Sequence, residues 1–421
     1  MKIHSLLKTL GPGILFASTA IGVSHLVQST RAGAEFSFGL VWAILLANLF
    51  KYPFFEFGSR YANVTGRSLI HGYLGMSKAM FWIYVLVTLF SMFFVSAAVG
   101  AVTAGFMANL FGLNEWLGEN TMVVTAGVLF VICIAVLTVG KYKALDRLIK
   151  VIGSVLLITT LISFFVVLAR GPQTATSWES PMFSGPTSAL PFLIALMGWM
   201  PTAVDLSTWN SLWTIERIKD SGYKPKLKET LFDFNFGYLV SALLAICFVT
   251  LGAYLFYGAT EPMPTGGVAF SNAVISLYTS AIGQWSYMII AAAGFSIMFG
   301  TCIAVFDGYA RAAECSVELI VQQWNKESID ATRAYRTCVL ITAGIAFLII
   351  YFAGANLKSL VDLATTISFL IAPVIAGANL WLVLKDPSAK EGRPPLWLRW
   401  LSYLGLTFLT VFSLIYLSTQ F

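Results

Sequence analysis

Residues 20–33 read AIGVSHLVQSTRAG, and they interrupt an apolar helix that begins near Gly13. Gly22, Val23 and Ser24 are weak helix formers, and His25 beside them is the one histidine within an apolar stretch of this chain. A broken helix in hydrocarbon frees backbone N–H and C=O groups that lipid cannot satisfy. The break therefore indicates a place where a solute, an ion or water takes those hydrogen bonds.

The composition places the whole chain in a membrane. Of its 421 residues, 58% are hydrophobic and only 11% are charged, whereas a soluble domain carries about a quarter charged residues. Apolar stretches of about 20 residues, enough to cross a bilayer core of roughly 30 Å, recur along the chain. We predict an all-α integral membrane protein with eleven transmembrane helices, spans 1–11, at about 10–32, 38–58, 79–111, 120–140, 145–169, 187–213, 232–257, 280–311, 335–355, 358–384 and 396–419.

The basic residues predict the orientation. Most of the 26 Lys and Arg residues fall before span 1 or in the connections after spans 2, 4, 6, 8 and 10. Basic connections stay on the cytoplasmic side, so the N-terminus is expected in the cytoplasm and the C-terminus outside, in a bacterial cytoplasmic membrane. The net charge of +6 is then a topology signal and a contact with lipid headgroups of the bilayer. Nucleic acid is not an expected partner, and a monomer is the expected state.

A second break falls in span 6, at MGWMPT (197–202). Spans 1 and 6 are five apart and so enter the membrane from opposite sides. Broken helices at matching positions of two inverted halves are typical of the substrate site of a secondary transporter. We predict one transmembrane domain over residues 1–421, with inverted repeats at about 10–169 and 187–384 and an extra helix at about 396–419. The alternative for each break alone is a mechanical kink.

Three stretches resemble the NRAMP divalent-metal transporters. They are GPGILFASTAIGVSHLVQSTRAGAEFSFGLVWAILLANL (11–49), KYKALDRLIKVIG (141–153) and WMPTAVDLSTWNS (199–211). The resemblance is strongest in the first third of the chain. It implies broken spans 1 and 6 within the inverted five-plus-five repeat shared with sodium-coupled amino-acid transporters.

The resemblance also implies where a metal would bind, and there the chain departs from the family. Span 1 of the family carries Asp-Pro-Gly-Asn, whose Asp and Asn coordinate the metal; the matching residues here are Gly22, Val23, Ser24 and His25. The loss of the only carboxylate leaves a set of ligands that suits a soft ion such as Cu(I), or no metal.

In span 6 the coordinating methionine of the family remains as Met200, followed by Pro201. The carbonyl that contacts metal in the family belongs here to Met197, and the family's histidine for proton movement is Thr202. We expect the substrate site to include Gly22, Val23, Ser24, His25, Met197, Gly198, Trp199, Met200 and Thr202. If a metal is carried, His25 and Met200 are its expected ligands.

Charged residues within the spans are expected to serve coupling or gating, because such charges are costly in a membrane. Lys51 could pair with a carboxylate, replace a coupling cation with a fixed charge, or face an anionic substrate. Asp205 is a candidate proton carrier or the ion-pair partner of Lys51. Three other carboxylates complete this set: Glu56, Asp307 and Asp362. Hydroxyls of GFSIMFGT (294–301) in span 8 and Thr365, Thr366 and Ser368 in span 10 are expected near the site, or bonded to their own helices.

The sequence thus predicts a secondary active transporter of a small polar organic solute, a carboxylate or an amino-acid-like compound. Gly22 would leave room for the solute, and N–H groups freed at the break would receive its anionic group. Coupling to H⁺ through His25 or Asp205 is expected, with no cofactor. The alternatives are a divalent or soft transition-metal transporter using His25 and Met200, and a sensor without transport. We do not expect an enzyme, because no nucleophile–base pair or metal cluster falls in a connection.

Overall fold

The computed structural model describes residues 11–180, 189–258, 264, 267–325, 329–353 and 357–420. No strand occurs among them. The α-helices are α1 Pro12–Ala20, α2 Thr30–Phe36, α3 Val41–Thr65, α4 Leu69–Met76, α5 Lys78–Leu110, α6 Asn114–Leu117, α7 Thr121–Arg170, α8 Ala189–Gly198, α9 Ser207–Ser221, α10 Leu227–Leu255, α11 Gly267–Ile282, α12 Tyr287–Asn325, α13 Ala331–Ala353, α14 Leu357–Lys385 and α15 Leu396–Gln420.

The connections after α3, α9, α12 and α14 meet at one end of the bundle, here called the basic end. Asn63 donates to the Pro225 carbonyl at 2.9 Å, and Tyr61 donates to Asp386 at 2.6 Å. Ser68 and Cys315 approach each other at the same end. Connections that lie far apart in sequence therefore share one face of the bundle, as the predicted alternation of spans requires.

The connections after α2, α5 and α10 meet at the other end, here called the opposite end. The Phe38 N–H donates to the Ser177 carbonyl at 3.0 Å, and the Gln173 N–H donates to the Tyr254 carbonyl at 3.1 Å. The Asn109 amide donates to the Val268 carbonyl at 2.9 Å. These bonds join segments whose predicted spans run in alternating directions.

Helix α7 differs from the prediction of two helices at 120–140 and 145–169. Helical backbone runs without a gap from Thr121 to Arg170, 50 residues, because residues 141–152 contain no glycine or proline to end a helix. A straight helix of this length would measure about 75 Å, far longer than a bilayer. However, the Thr138 carbonyl accepts from Arg336 near the basic end, whereas both termini of α7 lie toward the opposite end. The chain therefore reverses between Thr138 and Arg170.

Seven helical segments of the described chain are long and apolar enough to cross a membrane. The two predicted broken spans are shorter because each consists of two pieces, α1 with α2 and α8 with α9. Span 8 begins later than predicted, at Tyr287, because Gly283 with its φ of +124° separates it from α11. The exact count of eleven spans stays a prediction.

Glycines bring α10 into backbone contact with both pieces of span 1. A Cβ at Gly13 would overlap the Asp233 backbone, and one at Gly237 would overlap the Gly13 carbonyl. The same relation joins Gly33 to Val249 and Gly252 to Thr30. Small residues permit such close approach of membrane helices, so α10 supports span 1 on either side of its break.

The start of α1 is held by a carboxylate of α10. Asp233 accepts from the Gly11 N–H at 3.1 Å and from the Gly13 N–H at 2.7 Å. These are N–H groups that the first turn of a helix cannot satisfy itself. Pro12 between them has no N–H, so the two oxygens of Asp233 bind the donors that this turn offers.

Glu56 and Arg60 form an ion pair inside the bundle near the basic end. Glu56 is 2% exposed and accepts from the Arg60 Nε at 2.8 Å, while Arg60 Nη1 donates to the Gly392 carbonyl at 2.9 Å. The coupling role of Glu56 stays a prediction, and its pair with Arg60 joins α3 to the connection before α15.

We expect Arg60→Met to lower the free energy of unfolding by about 3–5 kcal/mol, because it leaves the buried Glu56 carboxylate without its partner. Glu56→Gln combined with Arg60→Met should recover part of that loss. Thermal unfolding in detergent measures both. Lys219→Met is the control, since Lys219 is 68% exposed in its pair with Glu216 and such pairs contribute little. Equal losses for Arg60→Met and Lys219→Met would contradict the expectation.

Candidate functional site

The break in span 1 lies at Ile21 and Gly22. Helix α1 ends at Ala20, Gly22 has φ −97° and ψ −119°, and a π-helix runs from Val23 to Ser29 into α2. Val23 and Ser24 are the first residues of this π-helical segment, and the first N–H groups of a helical segment have no acceptor within it. These N–H groups stand at the positive end of the segment.

Thr301 of α12 fills the space beside Gly22. A Cβ at Gly22 would overlap the Thr301 side chain. The Thr301 hydroxyl donates to the Ser18 carbonyl at 2.8 Å, a carbonyl that the end of α1 leaves free. The room that we expected beside Gly22 for a solute is therefore occupied by span 8.

His25 points toward α10. Its Nδ1 lies 2.7 Å from the Ser24 hydroxyl, and its Nε2 lies 2.9 Å from the Ser241 carbonyl and 3.2 Å from the Ser241 hydroxyl. Ser24 in turn donates to the Ala20 carbonyl. The ring is fully buried, and both nitrogens have partners within the protein. In this conformation His25 has no nitrogen directed at the space between the two breaks.

The break in span 6 separates α8 from α9. Helix α8 ends at Gly198, which has no room for a Cβ against the Thr365 carbonyl of α14. Trp199 follows and donates from its indole Nε1 to Ser368 at 2.9 Å. The Met200–Pro201 peptide bond is cis, and a short 3₁₀ turn over Val204–Leu206 leads into α9.

The Lys51 ammonium lies at the end of α8. It donates to the carbonyls of Met197 at 2.6 Å, Gly198 at 2.8 Å and Thr202 at 3.2 Å. Lys51 is fully buried, and Asp205 is the acid that interacts with it electrostatically. The ammonium thus binds backbone oxygens of span 6, and the coupling or gating role of Lys51 stays a prediction.

A cavity of about 20 Å³ lies between the two breaks. This volume exceeds only slightly the 10–15 Å³ that a single water requires, so the site is closed in this conformation. Its lining contains hydroxyl, apolar and indole groups and no carboxylate, imidazole or thioether: Thr19, Val23, Ser24, Val95, Val99, Trp199, Thr202, Ala203, Leu206, Thr301 and Val305.

Four of the nine residues expected at the substrate site line this cavity, namely Val23, Ser24, Trp199 and Thr202. Gly22, His25, Met197, Gly198 and Met200 lie around it without lining it. Thr301 falls within the span 8 stretch that the sequence indicated. Ser241 and the two valines of α5, Val95 and Val99, were not identified, because apolar residues and a lone serine in a membrane helix carry no signal.

A polar network follows the break toward the basic end. Tyr84 of α5 and Thr208 of α9 join through their hydroxyls at 2.9 Å. Tyr73 donates to Asn379, whose amide donates to the Ser207 hydroxyl at 2.8 Å. Asp205 is 7% exposed and lies near the start of α9, and it interacts electrostatically with both tyrosines.

A larger cavity, of about 750 Å³, opens at the basic end. Asp307 lies on its wall and accepts from Arg311, from the Trp213 indole at 2.8 Å and from Tyr335 at 2.7 Å. His71 lies on the same wall, where burial lowers the pKa of its imidazole while Glu318 opposes that shift. Asp307 thus forms an ion pair with Arg311 in a vestibule at the basic end, away from the central cavity.

Asp362 closes the other side of the site. Arg31 of α2 donates through Nη1 to Asp362 of α14 at 3.0 Å and to Gln28 at 3.0 Å. The Arg31 guanidinium also lies 4.7 Å from the centre of the Phe192 ring of α8. These contacts join spans 1, 6 and 10, and a cavity of about 520 Å³ begins at Arg31 and Asp362 on the opposite end.

Residues 13–419 match the family described as natural resistance-associated macrophage protein-like, or Nramp. The chain belongs to the Nramp family. Protein PM0681 of Pasteurella multocida is 37% identical over 419 residues, which covers 99% of this chain and 93% of that protein. The divalent metal cation transporter MntH of Verminephrobacter eiseniae is 21% identical over 387 residues, covering 89% and 81%.

Solved structures show the fold of this Nramp chain. A manganese transporter mutant of Eremococcus coleocola superimposes with a TM-score of 0.71 at 15% identity, over 99% of this chain and 87% of that one. MhsT in complex with L-phenylalanine superimposes with a TM-score of 0.58 at 13% identity, over 95% and 98%. The predicted family and the predicted class of fold are confirmed, and the protein is a multi-pass membrane transporter.

We expect Gly22→Ala to destabilise the protein by about 1–3 kcal/mol, because its Cβ would overlap Thr301 in a packed interior. Thr301→Gly in the same chain should restore much of the unfolding temperature. Gly75→Ala is the control, since a Cβ at Gly75 would meet no atom within 4 Å. Gly66 is unsuitable, because its φ of +69° would strain an alanine. A Gly22→Ala protein as stable as Gly75→Ala would contradict the packing described here.

We expect Asp362→Asn to open the site toward the opposite end. A Val23→Cys probe, in a chain with the five native cysteines replaced, should react up to about fivefold faster with a membrane-impermeant thiosulfonate. The magnitude follows from the 0.2–1 kcal/mol of a partly exposed ion pair. Glu35→Gln is the matched control, since Glu35 lies 3.5 Å from Arg31 and is more exposed than Asp362. Equal rates for Asp362→Asn and the parent would exclude this closure.

Proposed function

We propose that this Nramp-family transporter carries a small organic solute with a carboxylate group, such as an amino-acid-like compound, by alternating access. The observation that carries the proposal is the lining of the central cavity. Its polar groups are the hydroxyls of Thr19, Ser24, Thr202 and Thr301 and the indole of Trp199. Hydroxyls and backbone N–H groups carry no formal charge, and they bind the polar groups of organic ligands through hydrogen bonds.

A divalent cation would find little to bind in this site. Hard divalent ions need anionic oxygen ligands, and the described residues contain no group of three His, Cys, Asp or Glu side chains that could hold a metal. The Met197 carbonyl already binds the Lys51 ammonium. The Lys51 ammonium would strongly repel a divalent cation placed beside it in a low-dielectric interior.

A carboxylate would find donors at the break of span 1. The N–H groups of Val23 and Ser24 stand at the positive end of a half-helix, next to the Ser24 hydroxyl. Because the cavity holds about 20 Å³, binding requires that the half-helices move apart. Alternating access supplies that motion, since one repeat rocks against the other around the central site.

Proton coupling is part of the same proposal. Asp205 is a buried carboxylate one residue before Leu206, which lines the cavity. The hydroxyls of Tyr84 and Thr208 lie between this region and the basic end. Asp205 is therefore the group that we propose as the proton carrier, and His25, enclosed by Ser24 and Ser241, is the second candidate.

A metal ion remains the second candidate substrate, for a specific reason. Relatives of this chain are divalent metal cation transporters by name, and Met200 supplies a thioether beside the break in span 6. In that case Met200 and His25 would have to turn into the cavity, and the bonds of His25 to Ser24 and Ser241 would have to break.

Thermal stability of the purified protein separates these candidates. One panel contains Mn²⁺, Fe²⁺, Co²⁺, Cd²⁺ and Cu⁺, and the other contains amino acids and small carboxylates at several pH values. A ligand at a hundred times its dissociation constant stabilises the folded state by about 2.7 kcal/mol. We expect a saturable shift with a member of the organic panel only. A metal shift that Met200→Ala or His25→Ala abolishes would establish the metal reading instead.

Uptake into proteoliposomes tests the cavity itself. Thr202→Val removes one lining hydroxyl at nearly constant volume, so it should reduce uptake of the stabilising solute by about tenfold, the cost of one hydrogen bond. Thr342→Val is the matched control, because the Thr342 hydroxyl is buried and bonds the Cys338 carbonyl of its own helix. Equal uptake by the two variants would remove the cavity from the mechanism.

A further inference from the structure

Lys51 uses every hydrogen-bond donor that it has. An ammonium group carries three N–H donors and no acceptor, and Lys51 meets the carbonyls of Met197, Gly198 and Thr202. The side chain is fully buried. No donor is left over for a carboxylate of the protein or of a solute. The lysine is therefore neither half of a simple ion pair nor an open binding group.

The three carbonyls would form a cation site without the lysine. Met197 and Gly198 end α8, so their carbonyls lack partners within the helix and lie at its negative end. The Met197 carbonyl accepts in addition a long bond, 3.4 Å, from the Met200 N–H beyond the helix. Thr202 brings a third oxygen from the far side of the break. Carbonyls at the C-terminal ends of half-helices are groups that coordinate cations in transporters with broken helices.

The dimensions of this group of carbonyls suit a large monovalent cation. The Nζ···O distances are 2.6, 2.8 and 3.2 Å, whereas Mg²⁺ and Ca²⁺ keep their oxygens at 2.0–2.6 Å. An ammonium group and K⁺ are similar in radius. The oxygens are also neutral, which matches a single positive charge better than a double one.

We propose that the Lys51 ammonium is a tethered cation, which occupies a monovalent cation site formed by the carbonyls of Met197, Gly198 and Thr202. The wild-type protein then needs no free alkali cation at the break of span 6. Removal of the side chain exposes a site for K⁺ or NH₄⁺. This inference concerns the cation alone and holds whichever solute the central cavity carries.

The test is chemical rescue of Lys51→Ala by added cations. Thermal unfolding in detergent, without any transported solute, measures the rescue. The probes are NH₄Cl, KCl and NaCl against choline chloride at equal ionic strength. We expect Lys51→Ala to unfold at a lower temperature than the wild type, and its midpoint to rise with NH₄⁺ or K⁺ at millimolar concentration but not with choline. Above half-saturation, each tenfold increase in cation should raise the midpoint by a constant step.

Two variants and the wild type serve as controls. Lys51→Met fills the space without a charge, so NH₄⁺ and K⁺ should not raise its midpoint above that in choline. Lys78→Ala removes an exposed lysine at the start of α5 and should respond like the wild type, which should not distinguish K⁺ from choline.

Three results would overturn the proposal. The first is a folded Lys51→Ala protein with the same midpoint in all four salts. The second is a wild-type protein whose midpoint rises with K⁺ as much as that of Lys51→Ala. The third is a Lys51→Ala protein that stays unfolded in every salt, including when NH₄⁺ or K⁺ is present throughout purification, because the tethered-cation site predicts rescue. Solute uptake enters none of these measurements, so the proposed function can fail independently.

Discussion

One ammonium group on three carbonyl oxygens holds the broken span 6 in place. Backbone carbonyls without partners cost several kcal/mol each in hydrocarbon. At the end of α8 the Met197 carbonyl accepts only a long bond, 3.4 Å, from the Met200 N–H, and the Gly198 and Thr202 carbonyls lie beside it. Lys51 satisfies all three from a helix that is itself unbroken at this depth. Gly198 and Trp199 then contact α14 through Thr365 and Ser368. Lys51 thus joins span 2 to the break of span 6, and span 10 packs against the same break.

The two breaks are resolved by different chemistry. In span 1 neutral hydroxyls satisfy the carbonyls at the break: Thr301 donates to the Ser18 carbonyl, and Ser24 donates to the Ala20 carbonyl. In span 6 the carbonyls at the break accept from the charged ammonium of Lys51. This ammonium points at backbone oxygens and does not line the cavity between the breaks, whose lining is uncharged.

The fold was predictable to a large extent, because its signals are local. Apolar length locates the membrane helices, and Gly22 and the 197–202 stretch reveal the breaks. The site was predictable only in part. His25 could be located at a break from sequence, but its direction toward Ser241 depends on the packing of α10. Lys51 was recognised as exceptional, yet its three acceptors lie about 150 positions away and are backbone atoms, which no residue pattern marks. The uninterrupted helical backbone of α7 was missed because its basic stretch contains good helix formers.

The contacts of Gly13 with Gly237 and of Gly33 with Gly252 have a mechanical consequence. Each is a place where two backbones touch, so neither helix can slide past the other without driving a side chain into a peptide plane. Span 1 is thereby mounted on α10 at two points, with its flexible joint at Gly22 between them. The backbone can bend at Gly22, while the two glycine contacts on either side of it keep a fixed separation along α10. Any displacement that opens the cavity must carry α10 along or pivot about one of these glycine contacts.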